Sequence, residues 1–160
     1  MIVHAGLVAQ RLGGRWRGAL IEGPSGAGKS DLALRALDHG FRLVADDRVV
    51  LFACEGRLFG RAPGPLAGLI EVRGLDVIGE PALPFCEVAM VVEPGVPERL
   101  PDPEWAERLG VRLPRFTLPY REASAPAKLG RALSALYVSD QWRMKLGSRN
   151  EMRSGGRGRS

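Results

Sequence analysis

The feature that most constrains this chain is a glycine-rich segment that matches the pattern Gly-x-x-x-x-Gly-Lys-Ser/Thr in full. The pattern is typical of loops whose backbone N–H groups converge on the phosphates of a nucleoside triphosphate. In such a loop Lys29 supplies positive charge to the β- and γ-phosphates, and the Ser30 hydroxyl binds magnesium. The predicted nucleotide-binding residues are therefore Gly23, Pro24, Ser25, Gly26, Ala27, Gly28, Lys29 and Ser30.

The flanking sequence supplies the context that this motif requires. Residues 18–22 form a short apolar run that indicates a buried strand. Residues 30–39 carry an apolar stripe at helical spacing, and Gly40 stands where a helix C-cap belongs. A strand, a loop and a helix in this order favour a phosphate-binding loop over a glycine-rich turn that matches by chance.

The remaining pattern predicts one α/β domain with a mixed sheet and few flanking helices, within the usual size of a single domain. Turns are expected at Gly13–Gly14 and at Glu55–Gly56. Other segments are predicted as strands over residues 2–10, 41–44, 69–78, 88–92 and 112–118, a helical turn over 104–109 and a helix over 124–138.

The excess positive charge lies at the C-terminal end of the chain. The net charge is +5, from 23 basic and 18 acidic residues. Residues 143–160 hold six of these basic residues and one acid, which leaves 17 of each in the body. We therefore predict a catalytic domain over residues 1–147 and a basic, disordered tail over residues 148–160. That tail has no aromatic residue interleaved with its charges, so nucleic acid is not expected as a partner.

Nothing in the sequence indicates a membrane or an oxidising compartment. No apolar run approaches the length of a membrane-spanning helix, and the first residues do not resemble a secretory leader. The two cysteines, Cys54 and Cys86, are too few for a disulfide framework and are predicted to be small buried side chains. We expect a cytoplasmic protein.

Two adjacent carboxylates, Asp46 and Asp47, follow an apolar strand soon after the first helix. We expect that strand to neighbour the one before the glycine-rich loop, so that both acids reach the nucleotide. Successive side chains of an extended segment point to opposite sides. One acid would then face the metal or the γ-phosphate, and the other would face a neighbour or the attacking hydroxyl. The alternative is a pair of solvated turn acids paired with Arg48.

At this point the chain resembles the catalytic domain of bacterial HPr kinase/phosphorylase. The resemblance rests on the glycine-rich loop, on residues 40–49 (Gly-Phe-Arg-Leu-Val-Ala-Asp-Asp-Arg-Val) and on residues 68–75 (Gly-Leu-Ile-Glu-Val-Arg-Gly-Leu). It covers residues 2–138 and is nearest to the short α-proteobacterial form that lacks an N-terminal domain. It implies a fold related to phosphoenolpyruvate carboxykinase, ATP and Mg²⁺ as cofactors, a seryl hydroxyl of a phosphocarrier protein as acceptor, and a homohexamer.

The resemblance also implies roles for individual residues. Asp47 would be the general base in phosphorylation and the general acid in the reverse reaction. Glu71 would join Ser30 as a magnesium ligand, with Asp46 as a further candidate. His4 resembles the family's active-site histidine, and Arg108 its catalytic arginine.

One segment departs from the family. A Pro-Gly-Arg-Asn-like motif linked to dephosphorylation reads Pro-Tyr-Arg-Glu at residues 119–122, without the glycine and the asparagine. Glu122 would also place a negative charge near a phosphoserine, so we expect weak reverse phosphorolysis. Two other functions stay open at this stage, a small-molecule kinase and a nucleotide-sensing module without transfer activity.

Overall fold

In the described part of the chain, the secondary structure is mostly strand, with two α-helices and one short 3₁₀ helix. The structure, a computed structural model, describes the backbone of residues 1–154 and the side chains of residues 1–140. The elements are β1 (Ile2–Leu12), β2 (Arg15–Glu22), α1 (Lys29–Leu37), β3 (Arg42–Ala45), β4 (Arg48–Cys54), β5 (Arg57–Arg61), a short 3₁₀ helix (Gly64–Leu66), β6 (Leu69–Val72), β7 (Asp76–Gly79), β8 (Cys86–Pro94), β9 (Glu104–Arg108), β10 (Val111–Leu118) and α2 (Ala125–Ser154).

Five of the strands pair into a closed ring, namely β1, β2, β4, β5 and β8. The main sheet runs β2-β1-β4-β5-β8-β10-β9, and an additional pairing of β2 with β8 joins the first strand to the fifth. Strand β3 pairs with β1 outside this path, and β6 and β7 form a separate two-stranded sheet. Because β8 pairs in parallel with β2 and β10 while the other pairings are antiparallel, the sheet is mixed, as predicted.

Alternation along the ring strands builds two hydrophobic clusters. Leu7 and Leu20 belong to a cluster that takes side chains from all five ring strands. Their neighbours Val8 and Ile21 face the other way and pack with the helices. The helices contribute buried side chains to that second cluster, among them Leu32, Ala33 and Ala36 of α1 and Leu129 and Leu133 of α2.

Several predicted elements are confirmed. A turn at Gly13–Gly14 joins β1 to β2, and Glu55–Gly56 joins β4 to β5. The strand before the glycine-rich loop and the helix after it are both present. The relation of this fold to phosphoenolpyruvate carboxykinase stays a prediction.

Four predictions about elements were wrong. Residues 69–78 form a hairpin of β6 and β7, because Gly74 takes a left-handed φ of 85° and reverses the chain. Residues 104–108 form strand β9, which pairs along its whole length with β10. Strand β3 does not neighbour β2, since β1 lies between them. Helix α2 continues past the expected end at Val138 to Ser154.

The last of these affects the predicted basic tail. Its expected beginning, residue 148, falls within α2, and residues 155–160 lie outside the described residues. A boundary between a catalytic domain over residues 1–147 and a tail therefore stays a prediction.

Two further expectations concern membranes and cysteines. No helix in the described part of the chain is long and apolar enough to cross a membrane. Cys86 is buried as predicted, whereas the prediction for Cys54 was wrong, because this residue is exposed at the end of β4.

Candidate functional site

The glycine-rich loop, residues 23–30, joins the end of β2 to the start of α1. Gly26 and Gly28 adopt φ values of 81° and 98°, which L side chains rarely take. Gly28 is the N-cap of α1, so the positive end of the helix dipole points at the loop. The Lys29 ammonium bonds to loop carbonyls, with Nζ 2.7 Å from the oxygen of Gly23 and 3.1 Å from that of Pro24.

A cavity of about 430 Å³ opens beside this loop. Four chain segments contribute to it: the loop with the first turns of α1, the bend after β3, strand β6 with the turn that follows it, and the segment between β10 and α2. The lining residues are Ser25, Gly26, Gly28, Lys29, Ser30, Asp31, Leu34, Asp47, Glu71, Val72, Arg73 and Arg121. Of the predicted site residues outside the loop, the cavity contains Asp47 and Glu71.

Asp46 is buried next to this cavity, with 5% of its surface exposed. Its Oδ1 accepts a hydrogen bond from the Ser30 hydroxyl at 2.8 Å, and its Oδ2 accepts one from the backbone N–H of Glu71 at 2.9 Å. Both oxygens are therefore engaged by protein groups. The carboxylate joins helix α1 and strand β6 to the end of β3.

Asp47 points the other way and is exposed in the cavity. Its φ of 65° places it in the left-handed region. The backbone N–H of Arg48 donates a hydrogen bond of 2.7 Å to the carbonyl oxygen of Asp46, so the chain bends tightly at Asp47. This tight bend separates the two carboxylates in the manner expected from the sequence. The alternative of a pairing with Arg48 is present only as a loose, exposed contact of 3.8 Å, which contributes little to stability.

Mg²⁺ prefers hard oxygen ligands and retains water or phosphate oxygens in its coordination shell. The Ser30 hydroxyl and the exposed Glu71 carboxylate both line the cavity and fit this requirement. Asp46 reaches the cavity only through Ser30 and the backbone of Glu71. No group of three or more His, Cys, Asp or Glu ligands exists within the described residues, so phosphate and water oxygens would have to complete the shell.

The other two predicted catalytic residues lie outside the cavity lining. His4 is exposed on β1, opposite Arg48, beside the bend that carries Asp47. Arg108, at the end of β9, donates two hydrogen bonds to Glu22, with Nε–Oε1 at 3.0 Å and Nη2–Oε2 at 2.6 Å. These bonds raise the pKa of Arg108 above its ordinary value. The catalytic roles of both residues stay predictions.

Sequence reasoning did not assign Arg121 to the site. Its side chain lines the cavity and its Nη2 donates a hydrogen bond to the carbonyl oxygen of Gly26. Arg73, in the turn after β6, also lines the cavity. A signal for Arg121 was present in the sequence. It is the arginine of the Pro-Tyr-Arg-Glu segment that directly follows β10, and this segment was considered for its missing glycine and asparagine and for the charge of Glu122.

Glu122 does not line the cavity, although it follows Arg121 directly. Its Oε2 lies 3.4 Å from Nζ of Lys128 on α2, and both side chains are exposed. The carboxylate is thus paired on the surface of the helix. The expected repulsion between Glu122 and a phosphoserine has no support in this geometry.

The fold and the site together define an α/β domain whose cavity is built on a Gly-x-x-x-x-Gly-Lys-Ser loop. A family model described as the HPr serine kinase C-terminal domain matches residues 10–83. The HPr kinase/phosphorylase of Clostridium acetobutylicum is 34% identical over 127 residues, which are 74% of this chain and 41% of the relative. That of Limosilactobacillus reuteri is 36% identical over 133 residues, with 76% and 41% covered. The chain therefore belongs to the family of the HPr kinase C-terminal domain, which confirms the predicted resemblance.

A solved structure agrees in fold. The HPr(Ser) kinase/phosphatase from Coxiella burnetii superposes with a TM-score of 0.69 at 24% sequence identity, and the match covers 91% of this chain and 99% of that one. The chain spans 41% of the length of the two curated relatives described above.

Proposed function

We propose that this chain is an ATP-dependent protein kinase that phosphorylates a seryl hydroxyl of an HPr-like phosphocarrier of the phosphotransferase system. The observation that carries the proposal is the gathering of Lys29, Ser30, Asp47 and Glu71 around one cavity. The names of the curated relatives support HPr as the kind of acceptor.

In this proposal the glycine-rich loop is a phosphate-binding loop for ATP. Its backbone N–H groups and the helix dipole of α1 stabilise the negative charge of the phosphates. Lys29 leaves the carbonyl oxygens of Gly23 and Pro24 and binds the β- and γ-phosphates. Ser30 and Glu71 hold Mg²⁺, which supplies charge neutralisation on the transferring phosphoryl group. Asp46 orients the Ser30 hydroxyl through their 2.8 Å hydrogen bond.

Asp47 is the proposed general base. As the seryl oxygen attacks the γ-phosphorus and the bond to ADP breaks, the carboxylate accepts the seryl proton. Proton transfer requires about 2.6–3.2 Å between the two oxygens in the complex. The exposure of Asp47 at the bend after β3 suits an acceptor presented by a second protein rather than one enclosed in a pocket.

We further propose that the reverse reaction is weak. This proposal rests on Tyr120 and Glu122, which stand where the Pro-Gly-Arg-Asn-like motif has glycine and asparagine. It does not rest on the charge of Glu122, because this carboxylate pairs with Lys128. The assay is phosphoserine-carrying HPr with inorganic phosphate and Mg²⁺ but no nucleotide. We expect pyrophosphate release far slower than the forward reaction, and comparable rates would contradict the proposal.

Two further proposals are the cytoplasm as location, which follows from the sequence pattern, and a homohexamer as assembly, which follows from the family resemblance. Light scattering on the purified chain tests the assembly, and a mass other than six chains would contradict it.

The function itself is tested by transfer of label. The chain is incubated with γ-labelled ATP, Mg²⁺ and an HPr protein, and the labelled residue is mapped by mass spectrometry. We expect one labelled serine on HPr. ATP binding without label on HPr would favour the nucleotide-sensing alternative, and label on small molecules alone would favour the small-molecule kinase.

A further inference from the structure

The side chain of Arg121 crosses the glycine-rich loop. Its guanidinium donates a hydrogen bond to the carbonyl oxygen of Gly26. Its Cγ and Nε lie 3.8 and 3.9 Å from the point that a Cβ on Gly28 would occupy. Arg121 therefore contacts the loop at two of its glycines and lines the same cavity as Lys29 and Ser30.

The backbone on either side of Arg121 is held by the two elements that flank the loop. The Tyr120 hydroxyl is buried 2.5 Å from the carbonyl oxygen of Glu22, the last residue of β2, and 2.7 Å from that of Val92. Arg35 of α1 donates hydrogen bonds to the carbonyl oxygens of Tyr120 and Glu122. The position of Arg121 relative to the loop is therefore fixed before any ligand binds.

The guanidinium of Arg121 has N–H donors that make no hydrogen bond to residues 1–140. Two other arginines near the loop have carboxylate partners: Arg35 pairs with Asp31, and Arg108 with Glu22. Arg73, which lines the same cavity, has no carboxylate of residues 1–140 within ion-pair distance, but no contact with the loop places it as Arg121 is placed. For Arg121, no carboxylate of residues 1–140 lies within ion-pair distance. An arginine has five N–H donors in a planar fork that matches phosphate oxygens, and a neutral carbonyl is a weaker partner than a phosphate.

We propose that Arg121 is a second phosphate-binding side chain of this site, which joins Lys29 on the polyphosphate of the bound nucleotide. When the nucleotide binds, the guanidinium exchanges the carbonyl of Gly26 for phosphate oxygens. The inference rests on the proposed function only for the statement that the loop binds ATP. It assigns Arg121 to nucleotide binding and not to proton transfer.

The test is calorimetric titration of the full chain with MgATP and MgADP. The variants are Arg121→Met, Arg121→Lys and, as matched control, Arg131→Met, an exposed arginine on α2. We expect Arg121→Met to weaken MgATP binding at least about tenfold, the loss expected for one charge-assisted hydrogen bond. Arg121→Lys should recover part of the affinity because it retains the charge, and Arg131→Met should bind within about twofold of the unmodified chain.

A purely structural contact between Arg121 and the loop would give a different result. If Arg121 binds phosphate, the melting temperature of the nucleotide-free variant stays unchanged and the affinity difference narrows at high salt, because the lost interaction is electrostatic. Unchanged MgATP affinity in Arg121→Met overturns the inference, as does a loss that is accompanied by a lower melting temperature and is insensitive to salt. If the unmodified chain binds MgATP through Arg121 but labels no HPr, the inference stands and the proposed function fails.

Discussion

The Ser30 hydroxyl donates a hydrogen bond to Oδ1 of Asp46 across 2.8 Å, which joins the first turn of α1 to the end of β3. The other carboxylate oxygen of Asp46 accepts the backbone N–H of Glu71 on β6. One buried side chain thus ties together three segments that border the cavity. Two residues proposed as magnesium ligands, Ser30 and Glu71, depend on it for their positions.

Replacement of Asp46 tests this arrangement. Asp46→Ala leaves the part-buried N–H of Glu71 without its acceptor and removes the partner of the Ser30 hydroxyl, so we expect the free energy of unfolding to fall by about 1–3 kcal/mol. Asp46→Asn should recover most of this loss, because its amide oxygen can accept from Glu71 while its N–H donates to Ser30. Denaturant unfolding measures both, with Asp102→Ala, at an exposed loop position, as control. Equal stability of Asp46→Ala and the unmodified chain would contradict the structural role.

Lys29→Ala is expected to abolish phosphoryl transfer and to weaken ATP binding, since the ammonium is the one point charge of the loop. The fold should be retained, because the Lys29 ammonium bonds only to carbonyl oxygens of the loop itself. Turnover with ATP and HPr measures the effect. The matched control is Lys128→Ala, which removes an exposed ammonium from α2. Full turnover by Lys29→Ala would exclude a phosphate-binding loop.

Variants of the ion pair between Arg108 and Glu22 distinguish a structural role of this arginine from a catalytic one. The side chains are 22% and 17% exposed and share two hydrogen bonds, so loss of either partner should cost about 1–3 kcal/mol of stability. Glu22→Gln keeps the positive charge of Arg108, whereas Arg108→Met removes it. If Arg108 is catalytic, kcat falls much further in Arg108→Met than in Glu22→Gln. Equal kcat values would show that the ion pair acts only on stability.

The two cysteines should differ in reactivity. Burial, with a smaller contribution from Glu87, raises the pKa of Cys86 to about 12, so this thiol stays protonated at neutral and mildly alkaline pH. Cys54 is exposed. Because the thiolate is the reactive form, we expect a disulfide reagent at mildly alkaline pH to modify one thiol quickly in the folded chain and a second only after unfolding. Loss of the fast phase in Cys54→Ser would identify it, and a fast phase that persists would contradict the assignment.

Local patterns made part of this molecule predictable. The glycine-rich loop, its strand and its helix follow from residues that lie close together in sequence. The hairpin turns at residues 13–14 and 55–56 follow from their glycines. Alternation in an extended segment predicted opposite orientations for Asp46 and Asp47. The two side chains do point apart, but the cause is the bend after β3, where Asp47 takes a φ of 65°.

The remaining features depend on contacts between distant segments. Strand β9 is short and mostly exposed, and its strand conformation comes from pairing with β10 rather than from an apolar pattern. The position of β1 between β2 and β3 is a matter of sheet order, which no local pattern specifies. Arg121 reaches Gly26 across 95 positions of sequence, so its place in the site required the fold.

Asp47→Asn tests the central claim most directly. Asparagine tolerates the left-handed backbone at this position, and it removes the charge while keeping the size of the side chain. With MgATP and HPr as substrates, and with Asp102→Asn as control, we expect kcat to fall by about 10²–10⁴ while MgATP affinity stays within a few-fold. Unchanged kcat would contradict a general base at Asp47. A loss of MgATP affinity with kcat retained at saturation would contradict it as well, and would assign the carboxylate to the metal.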